Sequence, residues 1–286
     1  MIQHRIRGRA LRSLAALAIG ALLVHAGPVP AASDARAAVR SAVRRAGGAY
    51  AELERKEVER LSQELDRLLK DEKLVAAFAA RDRPAVLSMA RPTFEKLRER
   101  GVTHWYFIEP EPTRTCFLRV HQPHLSGDLI ARTTLSQAIA TRQVGYGKEL
   151  GKTAFALRVV KPISSGGKVI GYMELGEEID HFFGRMKTQT GDDFGLLVDK
   201  RFIDRKELAR VLKEDRWDER PDVVLIQSTM WDEVNIEVGG ALQSLTDEGA
   251  GFKEWKEGGQ SFAGGSFPVR DAGKRVVGAV FVRHRI

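Results

Sequence analysis

The chain has 286 residues, of which 43% are apolar, and it carries a formal net charge of +8. This length is enough for one large domain or two modest domains with buried cores. Arg5, Arg7, Arg9 and Arg12 lie together at the N-terminus, and the rest of the chain mixes both signs, as a solvated surface does. Because no basic stripe with interleaved aromatic residues is present, the sequence argues against a nucleic-acid-binding protein.

Residues 1–33 have the composition of a secretory signal peptide. A basic start precedes the apolar stretch Leu14–Gly27, and the small residues Ala31 and Ser33 stand just before a possible cleavage site at Asp34. The apolar stretch is shorter than the ~20 residues that a transmembrane helix needs. We therefore predict a cleaved, periplasmic protein. The alternative is a protein anchored to the inner membrane by an uncleaved N-terminal segment.

Residues 34–80 are predicted to form a long helical segment, because apolar residues recur there at three- and four-residue intervals. These residues are Val58, Leu61, Leu65, Leu68 and Leu69. The simplest interpretation is that this stripe packs against its own domain. The alternative is a weak homodimer in which the stripe pairs with a second copy, although the repeat holds for barely two heptads.

Residues 81–187 are predicted to form an α/β unit. A helix capped by Asp82 and ended by Gly101 is followed by the strands "THWYFIEP" and "TCFLRVH", the helix "LIARTTLSQAIATRQ", and three further strands. The last three strands are "VGYGKEL", "TAFALRVVKPI" and "KVIGYMELG". This order predicts a five-stranded antiparallel sheet with helices on one side.

Residues 188–286 repeat the pattern more loosely, with a boundary near Thr188–Asp192. The segments "DFGLLVDK" and "DVVLIQS" are predicted as strands, "DRKELARVLKE" as a helix and "WDEVNIEVGGALQSL" as a weak helix, before three closing strands. The closing hairpins of the two halves are alike in their Gly-containing turns. The predicted fold class is therefore α+β, with a long N-terminal helix followed by two tandem units with antiparallel sheets.

The segments "THWYFIEP", "CFLRVHQPHLSGD" and "FALRVVKPISSGGKVIGYMELG" together resemble the membrane-distal unit of double Cache sensor domains. These PAS-like extracytoplasmic modules occur in bacterial chemoreceptors and histidine kinases. The resemblance covers about Asp71 to Ile179. It implies two stacked PAS-like subdomains and a small-molecule pocket in the first of them. Because the sequence ends at "VFVRHRI" without a second apolar segment, we expect a membrane receptor or sensor kinase to act as its partner.

The strand "TCFLRVH" provides the first candidates for ligand binding. Alternation predicts that Cys116, Leu118 and Val120 face the core. The other face carries Phe117, Arg119 and His121, which we predict to line a cavity. As the single cysteine, Cys116 cannot form an internal disulfide, and its place on an apolar face predicts a buried side chain.

Neighbouring strands complete the predicted ligand-binding set. They contribute Arg158, Tyr172 and Glu174, with Trp105 or Phe107 as an apolar wall. Two arginines that converge on a cavity favour an anionic ligand, because a guanidinium matches a carboxylate bidentately. The alternative is a structural bridge between Arg119 and Glu174 on an exposed sheet face.

Metal and catalytic sites have weaker support. A metal site of His121 and His124, completed by His104 or Asp128, is not predicted, because Asp128 is better explained as a helix N-cap after the Gly127 turn. Nucleophile-elbow, Walker and HExxH motifs are absent from the sequence. We therefore predict neither an enzyme nor a resident cofactor.

The function predicted from sequence is that of an exported small-molecule-binding sensor module of the double Cache type. It would recognise a small anionic or amphipathic ligand and pass the bound state to a partner. The alternative is a structural or adaptor periplasmic protein with a vestigial pocket that docks on a membrane receptor.

Overall fold

The computed structural model describes residues 32–150, 155–209, 216–232, 235–238 and 242–286. The predicted signal peptide lies outside these ranges except for its last two residues. The helices are α1 (Ala32–Leu69), α2 (Glu72–Ala79), α3 (Arg83–Arg98), α4 (Thr133–Thr141), α5 (His181–Thr190) and α6 (Arg205–Leu208). The strands are β1 (His104–Ile108), β2 (Cys116–Arg119), β3 (Gly145–Leu150), β4 (Phe155–Ser165), β5 (Lys168–Glu178), β6 (Asp193–Asp199), β7 (Val223–Ser228), β8 (Ala250–Glu257), β9 (Gln260–Arg270) and β10 (Val276–Arg285).

The strands form two antiparallel sheets with the same topology. The first sheet has the order β2-β1-β5-β4-β3, and the second has the order β7-β6-β10-β9-β8. We call β1–β5 with α2–α4 the first unit, and β6–β10 with α6 the second unit. The predicted α+β fold of two tandem antiparallel units is confirmed. Helix α5 ends at Thr190 and β6 begins at Asp193, and the boundary near Thr188–Asp192 stays a prediction.

Helix α1 packs against both units. Its N-terminal half contributes Val39, Val43 and Tyr50 to the core of the second unit, and its C-terminal half contributes Leu61 and Leu65 to that of the first. The leucine stripe is therefore buried inside its own chain. A dimer through this stripe would first have to unpack the core, so the structure opposes that alternative.

The helical segment predicted for residues 34–80 consists of two helices, because Asp71 interrupts it. The Asp71 carboxylate accepts hydrogen bonds from the backbone N–H groups of Lys73 and Leu74, each at 3.1 Å, and so caps α2. Asp82 caps α3 as predicted, accepting from the N–H of Ala85 at 3.0 Å. No helix among the described residues combines the length and the apolar content that crossing a membrane requires.

Helices cover both faces of the first sheet, which corrects the prediction that they lie on one side. The α1 face packs against α1, α2 and α3 through side chains such as Trp105, Phe107 and Met173. The opposite face, here called the α4 face, packs against α4 through Tyr106, Ile108 and neighbours that include Leu135 and Ala138. The fold therefore leaves polar side chains of the α4 face enclosed between the sheet and α4.

A β-bulge in β2 changes the predicted alternation. Phe107 pairs with Leu118, but Ile108 pairs with Cys116, so Phe117 is an extra residue in the ladder. The Phe117 ring packs edge-on to Phe78 of α2, 5.2 Å away between ring centroids, on the α1 face. Cys116 is buried as predicted, but it belongs to the apolar cluster of the α4 face and not to that of Leu118. The predictions that Phe117 shares a face with Arg119, and Cys116 with Leu118, are therefore wrong.

The two helices predicted for the second unit differ in outcome. The first is observed as α6 (Arg205–Leu208), and residues 210–214 of that prediction lie outside the described residues. The second is not observed in the described part of its segment. In the segment "WDEVNIEVGGALQSL", residues 235–238 are irregular and Leu242–Ser244 form one turn of 3₁₀-helix. β-branched residues, Asn and two glycines give that segment low helix propensity, and Ile236 instead packs in a core cluster with Leu197.

The two units contact each other where β3 meets the turn between β9 and β10. The N–H of Ala272 donates to the carbonyl of Lys148 at 2.8 Å, and Gln137 of α4 donates to the carbonyl of Ala272 at 3.1 Å. Gly147 has φ +144°, and a Cβ atom at this position would lie 2.7 Å from the Cβ of Ala272. The close approach therefore requires glycine at position 147.

We predict that Gly147→Ala lowers the free energy of unfolding by about 1–3 kcal/mol, because the added methyl group overpacks the contact. The matched control is Gly184→Ala in α5, where a Cβ atom meets nothing within 4 Å. That change should be neutral or stabilise by about 0.5–1 kcal/mol through helix propensity. Urea unfolding of both variants measures the difference, and equal effects would contradict the proposed role of Gly147.

Candidate functional site

The site is built on three adjacent strands of the first sheet. Tyr106 of β1 is directly opposite Arg119 of β2 on one side and Glu174 of β5 on the other. Directly opposite residues of an antiparallel pair point to the same face. The register therefore gathers an aromatic ring, a guanidinium and a carboxylate on the α4 face.

Glu174 is the buried centre of this arrangement, with 0% of its surface exposed. Its Oε1 accepts hydrogen bonds from Arg158 of β4 at 2.6 Å and from Arg132, which directly precedes α4, at 2.5 Å. Burial by itself would raise the pKa of Glu174, but the two guanidinium groups lower it below its usual value. Glu174 is therefore an ionised, buried carboxylate held by two arginines.

Two polar atoms of this cluster have no hydrogen-bond partner among the residues that the structure describes. They are Oε2 of Glu174 and Nε of Arg158, and both are buried. One is an acceptor and the other is a donor. A buried polar group without a partner costs free energy, so a ligand or a water molecule with both capacities would fit here.

Three guanidinium groups surround the Tyr106 ring. The distances from the guanidinium carbon to the ring centroid are 4.5 Å for Arg132, 5.3 Å for Arg119 and 5.8 Å for Arg158. Each lies within the range of a cation–π contact. The ring therefore offsets part of the repulsion between these like charges. The three guanidinium groups make this part of the α4 face positive.

His104 and His121 lie beside the same ring without adding charge at neutral pH. The His121 ring centroid is 4.9 Å from that of Tyr106 and 4.9 Å from that of His104. Burial, together with the charges of Arg158 and Arg119, lowers the pKa of His121 to about 4. Burial also lowers the pKa of His104 well below its usual value, and Arg158 contributes. Both rings are thus neutral hydrogen-bonding groups.

Arg119 is held at the rim by Asp128. Its two terminal nitrogens donate to the two carboxylate oxygens at 2.7 and 2.6 Å. The Arg119 side chain is only 12% exposed, whereas that of Asp128 is 53% exposed. The prediction that Asp128 caps the next helix is wrong, because Arg132 occupies the N-cap of α4. The backbone of Asp128 instead accepts a hydrogen bond from Cys116, so this segment runs alongside β2.

The structure brings four of the predicted ligand-binding residues together: Arg119, His121, Arg158 and Glu174. Tyr172 lies on the same face in the adjacent apolar cluster. Trp105, Phe107 and Phe117 pack instead on the α1 face. Trp105 and Phe107 are the strand neighbours of Tyr106, so their side chains point to the face opposite to that of Tyr106. The β-bulge places Phe117 on that opposite face as well. The bridge predicted as an alternative is also different, since Glu174 binds Arg132 and Arg158, and Arg119 binds Asp128.

Sequence reasoning missed Tyr106, His104 and Arg132. Alternation in "HWYFI" places His104 and Tyr106 on one face, so this signal could have found them. Arg132 lies in an irregular segment, where no periodicity indicates the direction of its side chain. Among the described residues, His104, His121, His124 and Asp128 do not form a cluster with metal-ligand spacing.

Cys116 lies in the same apolar cluster as Tyr106. Burial raises the pKa of its thiol to about 11, so the reactive thiolate is not populated at neutral pH. The residue acts as a small apolar side chain that fills the space next to the site.

A sequence model of the dCache_3 family, described as the double sensory domain of two-component sensor kinase, matches residues 40–213, which is more than half of the chain. The chain belongs to this family. The resemblance to double Cache sensors is thereby confirmed, and the match extends beyond the segments that carried it. A search of curated proteins found no match.

Two solved structures have a fold similar to that of this chain. The sensor domain of the Vibrio cholerae histidine kinase DctB is 13% identical with a TM-score of 0.53, over 87% of this chain and 98% of that one. The periplasmic domain of Vibrio cholerae LuxQ is 12% identical with a TM-score of 0.50, over 85% of this chain and 100% of that one. At these identities the TM-scores show a shared fold.

We predict that Glu174→Gln lowers the free energy of unfolding by about 3–5 kcal/mol, because it leaves two buried guanidinium groups without a counter-charge. Glu95→Gln is the control, since the Glu95–Arg98 pair is exposed and contributes about 0–0.5 kcal/mol. Urea denaturation measures both changes. An equally small effect of the two variants would show that Glu174 is not the electrostatic centre of the site.

The neutral histidines predict a loss of stability in mild acid. Between pH 6.5 and about 4 the unfolded chain binds a proton at His121 that the folded protein does not, so stability falls as the pH falls. The expected loss is about 3 kcal/mol for His121, with His104 acting in the same direction. His121→Asn should reduce the slope of stability against pH in this window. His124→Asn, at an exposed position of the same loop, should keep the wild-type slope.

Proposed function

We propose that this chain is a periplasmic sensor module whose first unit binds a small anionic ligand at the Tyr106 site. The observation that carries the proposal is the set of three guanidinium groups around one aromatic ring beside a single buried carboxylate. Membership of a sensory family supports a role in ligand recognition over catalysis. The periplasmic location is supported by the composition of residues 1–33 and by the LuxQ domain, which is named as periplasmic.

Arg119 is the residue that we expect to change partner when the ligand binds. Its guanidinium is presented at the rim, and its present partner Asp128 is half exposed and belongs to a loop. A ligand carboxylate can replace the Asp128 carboxylate in the same bidentate geometry, since the released Asp128 side chain can be solvated. Arg158 and Arg132 are less suited to this exchange, because their buried partner Glu174 has no access to solvent.

The ligand is proposed to be amphipathic as well as anionic. Beside the guanidinium groups, the α4 face offers the Tyr106 ring and an apolar cluster that includes Tyr172 and Ile130. Leu125 and Leu129, in the loop between β2 and α4, are 46% and 57% exposed. Organic acids, amino acids and aromatic acids all combine a carboxylate with a part that can cover such surfaces, and they form the test set.

Helix α4 supplies a route from the site to the second unit. Arg132 at its N-cap binds Glu174, and Gln137 one turn later binds the carbonyl of Ala272 in the second unit. A ligand that shifts Arg132 would therefore displace an element that contacts both units. We propose that a membrane receptor or sensor kinase reads this change, because ligand binding transmits a signal only when a second element distinguishes the two states.

A thermal-shift screen of organic, amino and aromatic acids tests the proposal, because a ligand stabilises the folded protein by RT ln(1 + [L]/Kd). For a compound that raises Tm, we expect Arg119→Ala to weaken binding by about 10- to 150-fold, as loss of a charged hydrogen bond predicts. Its urea midpoint should remain near that of the wild type, since the Asp128 partner is solvent-accessible.

Arg98→Ala, which removes a guanidinium from an exposed pair on α3, is the control and should bind the same compound as the wild type does. Absence of any stabilising acid would favour the adaptor alternative with a vestigial pocket. Unchanged binding by an Arg119→Ala protein that is strongly destabilised would make Arg119 a structural residue.

A further inference from the structure

A second cluster of ionisable side chains lies at the junction of α1, β5 and α5, away from the Tyr106 site. Glu57 of α1, Glu177 of β5 and His181 of α5 each present one possible ligand atom, and these atoms all lie within 4.8 Å of one another. Both carboxylates are buried, and the His181 side chain is 33% exposed. The carboxylates of the cluster are therefore shielded by the protein, and solvent reaches the cluster at the imidazole of His181.

Arg60 contacts one oxygen of each carboxylate. It donates to Oε2 of Glu57 and to Oε2 of Glu177, and so orients both groups. The oxygens that Arg60 does not contact are Oε1 of each residue, and Oε1 of Glu177 lies 3.8 Å from Nε2 of His181. Carboxylates that ligate a metal ion are commonly oriented in this way by hydrogen bonds to the oxygen that does not bind the metal.

A hydrogen bond to the backbone also orients the ring of His181. Its Nδ1 lies 3.0 Å from the carbonyl oxygen of Glu178. Since a carbonyl can only accept, Nδ1 carries the proton and Nε2 of the neutral ring has a free lone pair. That lone pair is on the side of the Glu177 carboxylate. Metal-binding histidines typically donate their second nitrogen to a carbonyl or a carboxylate, as His181 does.

Among the residues that the structure describes, Oε1 of Glu177 has no hydrogen-bond partner, although Glu177 is fully buried. Two acceptor atoms, Oε1 of Glu177 and Nε2 of His181, thus lie 3.8 Å apart without a described donor for Oε1. A cation in this position would satisfy both.

We propose that Glu57, Glu177 and His181 form a binding site for a divalent transition-metal ion such as Zn²⁺. One imidazole nitrogen with two carboxylate oxygens suits Zn²⁺ better than Mg²⁺ or Ca²⁺, which prefer oxygen ligands alone. Tetrahedral zinc with bonds of about 2.0–2.2 Å holds its ligand atoms about 3.4 Å apart, so atoms that now lie within 4.8 Å of one another would have to approach by up to about 1.4 Å. Solvent on the exposed side of His181 provides the remaining ligand.

Arg185 of α5 competes with the metal ion for this site. Its Nη1 donates to Oε1 of Glu57 at 2.7 Å, which is the Glu57 oxygen that Arg60 does not contact. The Arg185 side chain is 56% exposed, so it can release Glu57 and remain hydrated. Removing its guanidinium should therefore strengthen metal binding, whereas a purely structural ion-pair network gives no reason for such a gain.

The test is calorimetric titration of the EDTA-dialysed, tag-free full chain with ZnCl₂, with MgCl₂ and CaCl₂ as comparisons. We expect saturable binding of Zn²⁺ with a stoichiometry of about one and a rise in Tm, and neither effect from the other two ions. His181→Ala and Glu177→Gln should each weaken Zn²⁺ binding by about 10- to 100-fold. His124→Ala, at an exposed position of the first unit, should bind as the wild type does.

Arg185→Met provides the decisive comparison, and we expect it to bind Zn²⁺ several-fold more tightly than the wild type. Because Arg185 lies on the exposed side of α5, this comparison does not depend on whether Glu177→Gln folds correctly. The proposal is overturned if Zn²⁺ does not bind saturably. It is also overturned if His181→Ala keeps wild-type affinity while folded, or if Arg185→Met fails to strengthen binding. None of these outcomes depends on the ligand of the Tyr106 site.

Discussion

Helix α1 is shared by two hydrophobic cores, and the arrangement of the two units depends on this sharing. Its N-terminal half packs on the second sheet through residues such as Val43, and its C-terminal half packs on the first sheet through Leu61 and Leu65. A helix of 38 residues is about 57 Å long. Because both sheets close on one continuous helix, neither core can repack without moving the element that the other core requires.

Charged residues of α1 lie between these two apolar halves. Glu54 pairs with Lys148 of β3, and Arg60 bridges Glu57 and Glu177. The contact between the units is therefore held in part by ion pairs and by the close approach at Gly147, beside the apolar contacts of α1. Polar contacts depend on ions and protons more than apolar contacts do. Solution conditions can thus adjust this contact.

The Tyr106 site also concentrates charge where apolar side chains would fold more easily. A buried ion pair contributes little net stability compared with apolar residues of the same volume. The proposed recognition role would therefore account for the Arg132–Glu174–Arg158 group better than stability does. The position of this group between the sheet and α4 would connect such a site to the second unit, because Arg132 and Gln137 belong to the same short helical segment. One helix thus carries a contact to the site and a contact to the neighbouring unit.

The sequence by itself determined the α+β class, the two five-stranded units and the long amphipathic helix. These follow from local periodicity, since apolar residues at intervals of 3.6 or 2 have only one face to bury. The same alternation placed Arg119, Arg158 and Glu174 on a common face, because the strands that carry them are regular there. The cap at Asp82 followed equally from local backbone chemistry.

Only the tertiary structure decided which partners these side chains have. The bulge at Phe117 reversed the face of two residues, since an extra residue in a ladder shifts every later side chain relative to its neighbour strand. Arg132 and Asp128 reach the site from irregular segments, where sequence has no period to follow. The contacts of Glu57 with Arg185 and of Arg60 with Glu177 join residues more than a hundred positions apart. Such pairs form only after α1 has packed across both units, so local sequence contains no signal for them.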